Sequence, residues 1–192
     1  MTPRALIIAG PNGSGKTTFA EEYLRSESVS FLSADFIAEQ IRATDPLSAR
    51  VEAGRQFLVR LDRLVADKDP FALEATLAGA TLARSIRQMK QAGYSISLVY
   101  IFLRSTEACR ARIRERVAKG GHQVPDVDIR RRFSRSLKNF WTHYRLLADR
   151  WYLFYNGGAL FHAVALGEGD LIEVHDEALF GVFQRLCEGK VG

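Results

Sequence analysis

Nine consecutive residues carry the clearest chemistry in this chain. Gly10-Pro11-Asn12-Gly13-Ser14-Gly15-Lys16-Thr17 matches G-x-x-x-x-G-K-[ST] at every fixed position, and Thr18 follows it. Glycines at those places let the backbone wrap until successive N–H groups face phosphate oxygens, and a helix starting directly behind them adds its positive end. Lys16 is then placed to bridge the outer phosphates, and the Thr17 hydroxyl to coordinate Mg²⁺. The stretch Gly10 to Thr18 is accordingly predicted to be a P-loop nucleotide site. A motor-type ATPase would add an apolar strand ending in Asp-Glu. No expected strand here ends so, which favours a kinase.

A kinase also needs a group that orients the acceptor hydroxyl and takes its proton. Asp35 is the candidate, because it directly follows the expected second strand, whose carboxyl end should lie beside the P-loop. As part of Ser33-Ala34-Asp35 it also suits a helix N-cap, and a capping aspartate can still face a cleft. Glu74 and Thr76 interrupt an otherwise apolar strand and share one of its faces. An acid in a buried strand requires a partner, either a core arginine or a substrate group. Arg112 and Arg116 lie four apart on one helical face, and Arg130, Arg131 and Arg132 follow beyond Gly120-Gly121-His122. Such a segment has the form of an arginine-rich helical lid, with Arg116 and Arg132 (or Arg131) closing over the transferring phosphoryl group. His143, His162 and His175 lack metal-ligand spacing and are expected to be structural or surface residues.

The elements that must hold these residues alternate. Strands are expected at Arg4 to Ala9, Val29 to Ser33, Phe71 to Leu77, Ser95 to Leu103 and Trp151 to Tyr155. Helices are expected at Lys16 to Leu24, after Asp35 with Phe36, Ile37 and Ile41 on one side, at Leu47 to Ala66, Gly79 to Ala92, Thr106 to Ala118 and Asp126 to Leu147. In the long helix Val51, Phe57, Leu58, Leu61, Leu64 and Val65 form the expected apolar stripe. Phe161 to Leu166 and Leu171 to Val174 make a C-terminal β-hairpin before a last helix, Glu177 to Leu186. This order specifies an α/β fold: a doubly wound, mostly parallel sheet with helices on both faces. The 192 residues suit one kinase domain, residues 1–192, with 104–150 as lid and basic segment.

Composition narrows the class. Hydrophobic residues at 47% and charged residues at 26% are globular values, excluding wholesale disorder and fibrous repeats. No apolar run approaches the roughly 20 residues of a membrane span, and Cys109 and Cys187 lack metal or disulfide spacing, so a cytoplasmic setting is expected. Residues 104–150 hold 13 Lys+Arg against 5 Asp+Glu, whereas the rest of the chain holds 14 against 17. An anion should meet that segment. Few aromatics interleave with the arginines, which ranks a phosphorylated small molecule above nucleic acid.

The P-loop, Asp35, Glu74-Ala75-Thr76, and Arg116-Val117-Ala118-Lys119-Gly120-Gly121-His122 followed by Arg131-Arg132-Phe133 together resemble the zeta-toxin family of P-loop kinases, in its compact chromosomal branch. The resemblance covers about residues 4–140. It implies transfer from ATP or GTP, with Mg²⁺, to a hydroxyl of a UDP-activated amino sugar such as UDP-N-acetylglucosamine. It further implies that Lys16 and Thr17 hold nucleotide and metal, that Asp35 is the base, that Glu74 and Thr76 with Asp35 bind the acceptor, and that Arg116 and Arg132 stabilise the transferred group. Any antitoxin would be a separate chain. Two other readings stay open: another small-molecule P-loop kinase of the shikimate, nucleoside or antibiotic type, and a nucleotide- and nucleic-acid-binding P-loop protein without kinase activity.

Overall fold

The computed structural model describes residues 2–25, 29–41, 45–120 and 124–189. In chain order the elements are β1 (Arg4–Ala9), α1 (Lys16–Leu24), β2 (Ser30–Ser33), α2 (Ala34–Gln40), α3 (Pro46–Asp67), β3 (Phe71–Ala75), α4 (Thr81–Gln91) and β4 (Ser95–Phe102). Then come α5 (Thr106–Ala118), α6 (Asp126–Thr142), a 3-10 turn (Tyr144–Leu146), β5 (Arg150–Tyr155), β6 (His162–Glu168), β7 (Leu171–Val174) and α7 (Glu177–Cys187). The strands form one sheet in the order β2-β3-β1-β4-β5-β6-β7. The first five run parallel, and β6 and β7 add antiparallel to β5.

Period-two alternation explains why both faces are covered. Ile7 of β1 and Leu98, Tyr100 and Phe102 of β4 point to the larger core, which α4, α6 and α7 complete with Ile86, Leu137, Phe140 and Phe183. Their neighbours Ile8, Val99 and Ile101 point the other way, onto Ala20 and Phe19 of α1. The central strands therefore carry near-continuous apolar runs, as parallel strands buried on both sides must. Aromatic rings stitch the larger core: Tyr100 stacks on Phe140 at 4.1 Å between centroids, and Phe140 meets Trp151 edge-on at 5.9 Å.

Register decides what meets at the carboxyl edge. β3 stands between β1 and β2, so the carboxyl end of β2 is not directly beside the P-loop strand as expected; Glu74 pairs in register with Ile8 on one side and Ser33 on the other. A single residue of β3 thus separates the strand that enters the P-loop from the strand that ends before Asp35. β3 also stops at Ala75, two residues short of expectation. Leu77 takes a left-handed φ of 55° that a strand cannot continue through. Thr76 lies in the connection to α4, not on the strand face it was expected to share with Glu74.

Helix limits follow capping chemistry. Ser33 Oγ accepts from Phe36 N at 3.4 Å and starts α2, Asp45 Oδ2 accepts from Ser48 N at 2.8 Å and starts α3, and Ser105 caps α5. α6 ends at Thr142, earlier than expected, and the chain tightens into the 3-10 turn. Parts of the expected stripes are not core: Phe36 and Val51 are exposed, while Leu61 is fully buried. Both arginine-bearing helices are anchored, α5 by Cys109 and Ile113 and α6 by Ile129, Phe133, Leu137 and Phe140. Of the expected hinge, Gly121 and His122 lie outside the described residues.

Candidate active site

The P-loop has the conformation its glycines foreshadow. Gly10, Gly13 and Gly15 have φ of 147°, 80° and 97°, values that L side chains rarely adopt. Space forbids a side chain as well: a Cβ on Gly10 would stand 2.2 Å from the Ile101 carbonyl oxygen, and one on Gly13 2.6 Å from that of Cys109. Gly10 N donates to Ala75 O at 3.2 Å, tying the loop to the end of β3, and Ser14 N donates to Pro11 O at 3.2 Å to close the turn. No side chain caps the start of α1, so its first amides remain turned to the loop, as anion binding at a helix N-terminus requires.

Lys16 is 5% exposed. Its Nζ donates to Pro11 O at 3.2 Å and lies 3.6 Å from Glu74 Oε1, and the Thr17 hydroxyl donates to Glu74 Oε2 at 3.0 Å. Glu74 thus finds its partners in the P-loop itself, rather than in a core arginine. Its carboxylate and the Thr17 hydroxyl form a hard oxygen pair suited to Mg²⁺. Among the described residues no cluster of three or more His, Cys, Asp or Glu could hold a metal, so such an ion would take most of its ligands from nucleotide oxygens and water.

Two cavities open at this edge. The first, about 620 Å³, is bounded by the P-loop with Thr17 and Thr18, by Arg112, Arg116 and Lys119 of the α5 end, and by Asn156 and Phe161 after β5. The second, about 570 Å³, runs under α6 between α2, α3 and the segment after β3. Thr76, Phe57, Leu58, Arg131, Arg132 and Arg135 are on its walls. Three residues border both: Asn12, Asp35 and Glu74. Since Ser33 caps α2, the Asp35 carboxylate is not required as a cap, and it stands in the first turn where the cavities join.

The expected arginines divide between the cavities. Arg116 borders the P-loop cavity and Arg132 the second one, with Arg131. Asp128 holds Arg131 at 2.6 Å and stands 3.9 Å from Arg132. Much of the remaining basic excess is used inside the fold. Arg110 pairs with Asp126 at 2.5 Å, Arg150 pairs with Glu168, Arg104 lies over the Tyr155 ring and Arg145 over Trp141. Beneath the loop, burial pushes the Cys109 thiol up to about 12 although Lys16 and Arg112 pull the other way; it stays neutral and unreactive at ordinary pH.

Sequence reasoning missed Asn156, Arg135 and the cavity-lining role of Phe57 and Leu58. Asn156 could have been flagged by its position, since ligands gather beyond the carboxyl ends of parallel strands. Phe57 and Leu58 gave no signal, because a helical apolar stripe looks the same whether it faces a core or a cavity.

A family model described as an AAA domain matches residues 6–136, from β1 into α6. An uncharacterized protein of Haemophilus influenzae is 30% identical over 134 residues, 69% of this chain and 94% of that one. Three solved structures share the fold. The AvrRxo1-ORF1:-ORF2 structure with ATP superposes with a TM-score of 0.76 at 13% identity over 97% of this chain, and this chain spans 64% of that one. The PezAT chromosomal toxin-antitoxin system of Streptococcus pneumoniae gives 0.67 at 16% identity, with 98% and 79% of the chains covered. A gluconokinase from Sinorhizobium meliloti gives 0.52 at 17% identity, covering 98% and 95%. What these structures share with this chain is the α/β fold.

Proposed function

The chain belongs to the AAA domain family of P-loop proteins, and on that premise we propose that it is an ATP- or GTP-dependent phosphotransferase acting on a hydroxyl of a small metabolite. The observation that carries this reading is the meeting of two cavities at Asn12, Asp35 and Glu74. One cavity suits a nucleoside triphosphate, the other an acceptor, and two carboxylates stand at the join.

In this reading the P-loop amides and Lys16 cradle the outer phosphates, and Asp35 orients the acceptor hydroxyl and takes its proton. Arg116 neutralises charge on the transferring group from the donor side, while Arg132 works from the acceptor side with Thr76. Thr17, assisted by Glu74, would hold Mg²⁺, which when bound supplies charge neutralisation on the phosphate oxygens. Glu74 therefore serves both sides of the join rather than the acceptor alone. The acceptor cavity combines an apolar wall with three arginines, which suits a UDP-activated amino sugar such as UDP-N-acetylglucosamine. The toxin-antitoxin assembly of one structural relative is the reason to look for an antitoxin as a separate chain.

Purified protein with ATP, Mg²⁺ and a metabolite panel including UDP-N-acetylglucosamine should yield a product heavier by about 80 Da, one transferred phosphoryl group. If no metabolite gains this mass and the protein instead binds DNA or RNA with a steep salt dependence, the kinase reading is wrong.

A further inference from the structure

Asn156 directly follows β5 and lies beyond residue 136, where the family match stops. Its backbone N–H donates to Phe102 O at 3.0 Å, fixing it to the end of β4. The side chain is buried to 7% exposure on the wall of the P-loop cavity. Its Nδ2 donates to Ser14 O at 2.8 Å across 142 residues of chain, and its Oδ1 accepts from Arg112 Nη2 at 3.5 Å. A carbonyl can only accept and a guanidinium only donate, so the two partners fix which way the amide points.

The consequence follows from peptide geometry. In a trans peptide the C=O of Ser14 and the N–H of Gly15 point in opposite directions. Holding the Ser14 carbonyl outward on Asn156 therefore aims the Gly15 N–H into the loop, where phosphate oxygens belong. Gly15 and Asn156 are fitted to each other. A Cβ on Gly15 would stand 2.2 Å from Asn156 Nδ2, so the motif glycine also makes room for this amide. The other half of the same amide turns Arg112 toward the cavity that Arg112 lines with Arg116.

We infer that Asn156 is a positioning residue of the nucleotide site, one that sets the phosphate-receiving conformation of the P-loop and couples it to Arg112. The inference rests on the nucleotide half of the proposed function and not on phosphoryl transfer.

The test is ATP binding by titration calorimetry with Mg²⁺, together with melting temperatures with and without ATP. Asn156→Ala removes both contacts. Asn156→Asp keeps the shape but sets a carboxylate oxygen against the Ser14 carbonyl. Each should weaken ATP about tenfold, the scale of a lost buried hydrogen bond, and shrink the ATP-induced rise in melting temperature. A purely structural role would lower the melting temperature of the nucleotide-free protein and leave the ATP-induced rise intact; that result, or ATP affinities within about twofold of wild type, overturns the inference. Wild-type protein that binds no ATP overturns the nucleotide reading along with it. Wild-type protein that binds ATP but phosphorylates nothing counts against the transferase reading alone, and the variants still decide the role of Asn156.

Discussion

The two cavities that meet at Asn12, Asp35 and Glu74 are built on different principles. One side of the P-loop cavity comes from a single nine-residue stretch whose backbone does much of the work, with glycines at φ values other residues avoid. The second cavity is assembled from side chains of α2, α3, the segment after β3 and α6, which are far apart in the chain. A site made of backbone amides constrains residue type wherever the chain must bend, so it leaves a compact fingerprint. A site made of dispersed side chains constrains only shape and charge. In such a fold the second cavity can change its ligand while the first keeps its own, and loss of a residue should show which cavity it serves.

The largest effect is expected on the backbone-built side. Lys16→Ala should lower phosphoryl transfer by about 10³-fold or more, the scale for removing a charge clamp from the transferring group. The fold should survive, because Glu74 keeps the Thr17 hydroxyl as partner and borders both cavities. Near-normal transfer by the purified variant would refute the role given to Lys16. Next comes the join: Asp35→Asn should cost about 10²-fold in kcat, as expected of a lost base, with ATP affinity unchanged by calorimetry. Unchanged turnover would reduce Asp35 to a member of the first turn of α2. The arginines sharpen the contrast further. With UDP-N-acetylglucosamine as acceptor, Arg116→Ala should lower kcat by roughly tenfold or more at unchanged acceptor KM, because only the donor side loses its charge. Arg132→Ala should raise acceptor KM at unchanged ATP affinity. Identical kinetic signatures for the two variants would erase the division between the cavities.

What was legible in the sequence follows the same division. The glycine pattern announced the loop, and alternating apolar runs announced the parallel sheet, because φ restrictions and two-sided burial leave few residue choices. Glu74 was visible as an acid in an apolar strand, but its partners were not. Only the register that pairs it with Ile8 and Ser33 brings it to Lys16 and Thr17. The strand order was misjudged at β2 for the same reason: local sequence states that a strand exists, not which strand lies beside it. Leu77 hid the end of β3, since an apolar residue there looks like continued strand. Asn156 was marked only by its place beyond β5, because the Ser14 group it holds is a backbone carbonyl, and every residue has one.

The smallest predicted effect concerns the segment after β3, which α6 and the 3-10 turn behind it hold by its carbonyls. Ser136 Oγ donates to Thr76 O at 2.5 Å, Asn139 Nδ2 to Leu77 O at 2.8 Å and Tyr144 Oη to Gly79 O at 2.5 Å. Ser136 is fully buried and also shares a hydrogen bond of 2.8 Å with the hydroxyl of Tyr100. Burial raises the Tyr100 pKa well above its ordinary value, while the Ser136 bond pulls it down, so Tyr100 stays a neutral hydrogen-bonding group. Ser136→Ala strands the Thr76 carbonyl and leaves the Tyr100 hydroxyl to seek a new partner. The expected stability loss is about 1 to 3 kcal/mol, the cost of leaving a buried polar group unpaired, measured by urea unfolding. Because α6 also carries Arg131, Arg132 and Arg135, loosening its grip shifts Thr76 relative to those arginines. Acceptor KM should therefore rise a few-fold while ATP affinity stays within error, since the backbone hydrogen bond that ties the P-loop to this side is made at the end of β3, to Ala75 O. An equal loss on both substrates would mean that the two cavities share one mechanical frame, and the contrast between them would then lie in how they are encoded and not in how they work.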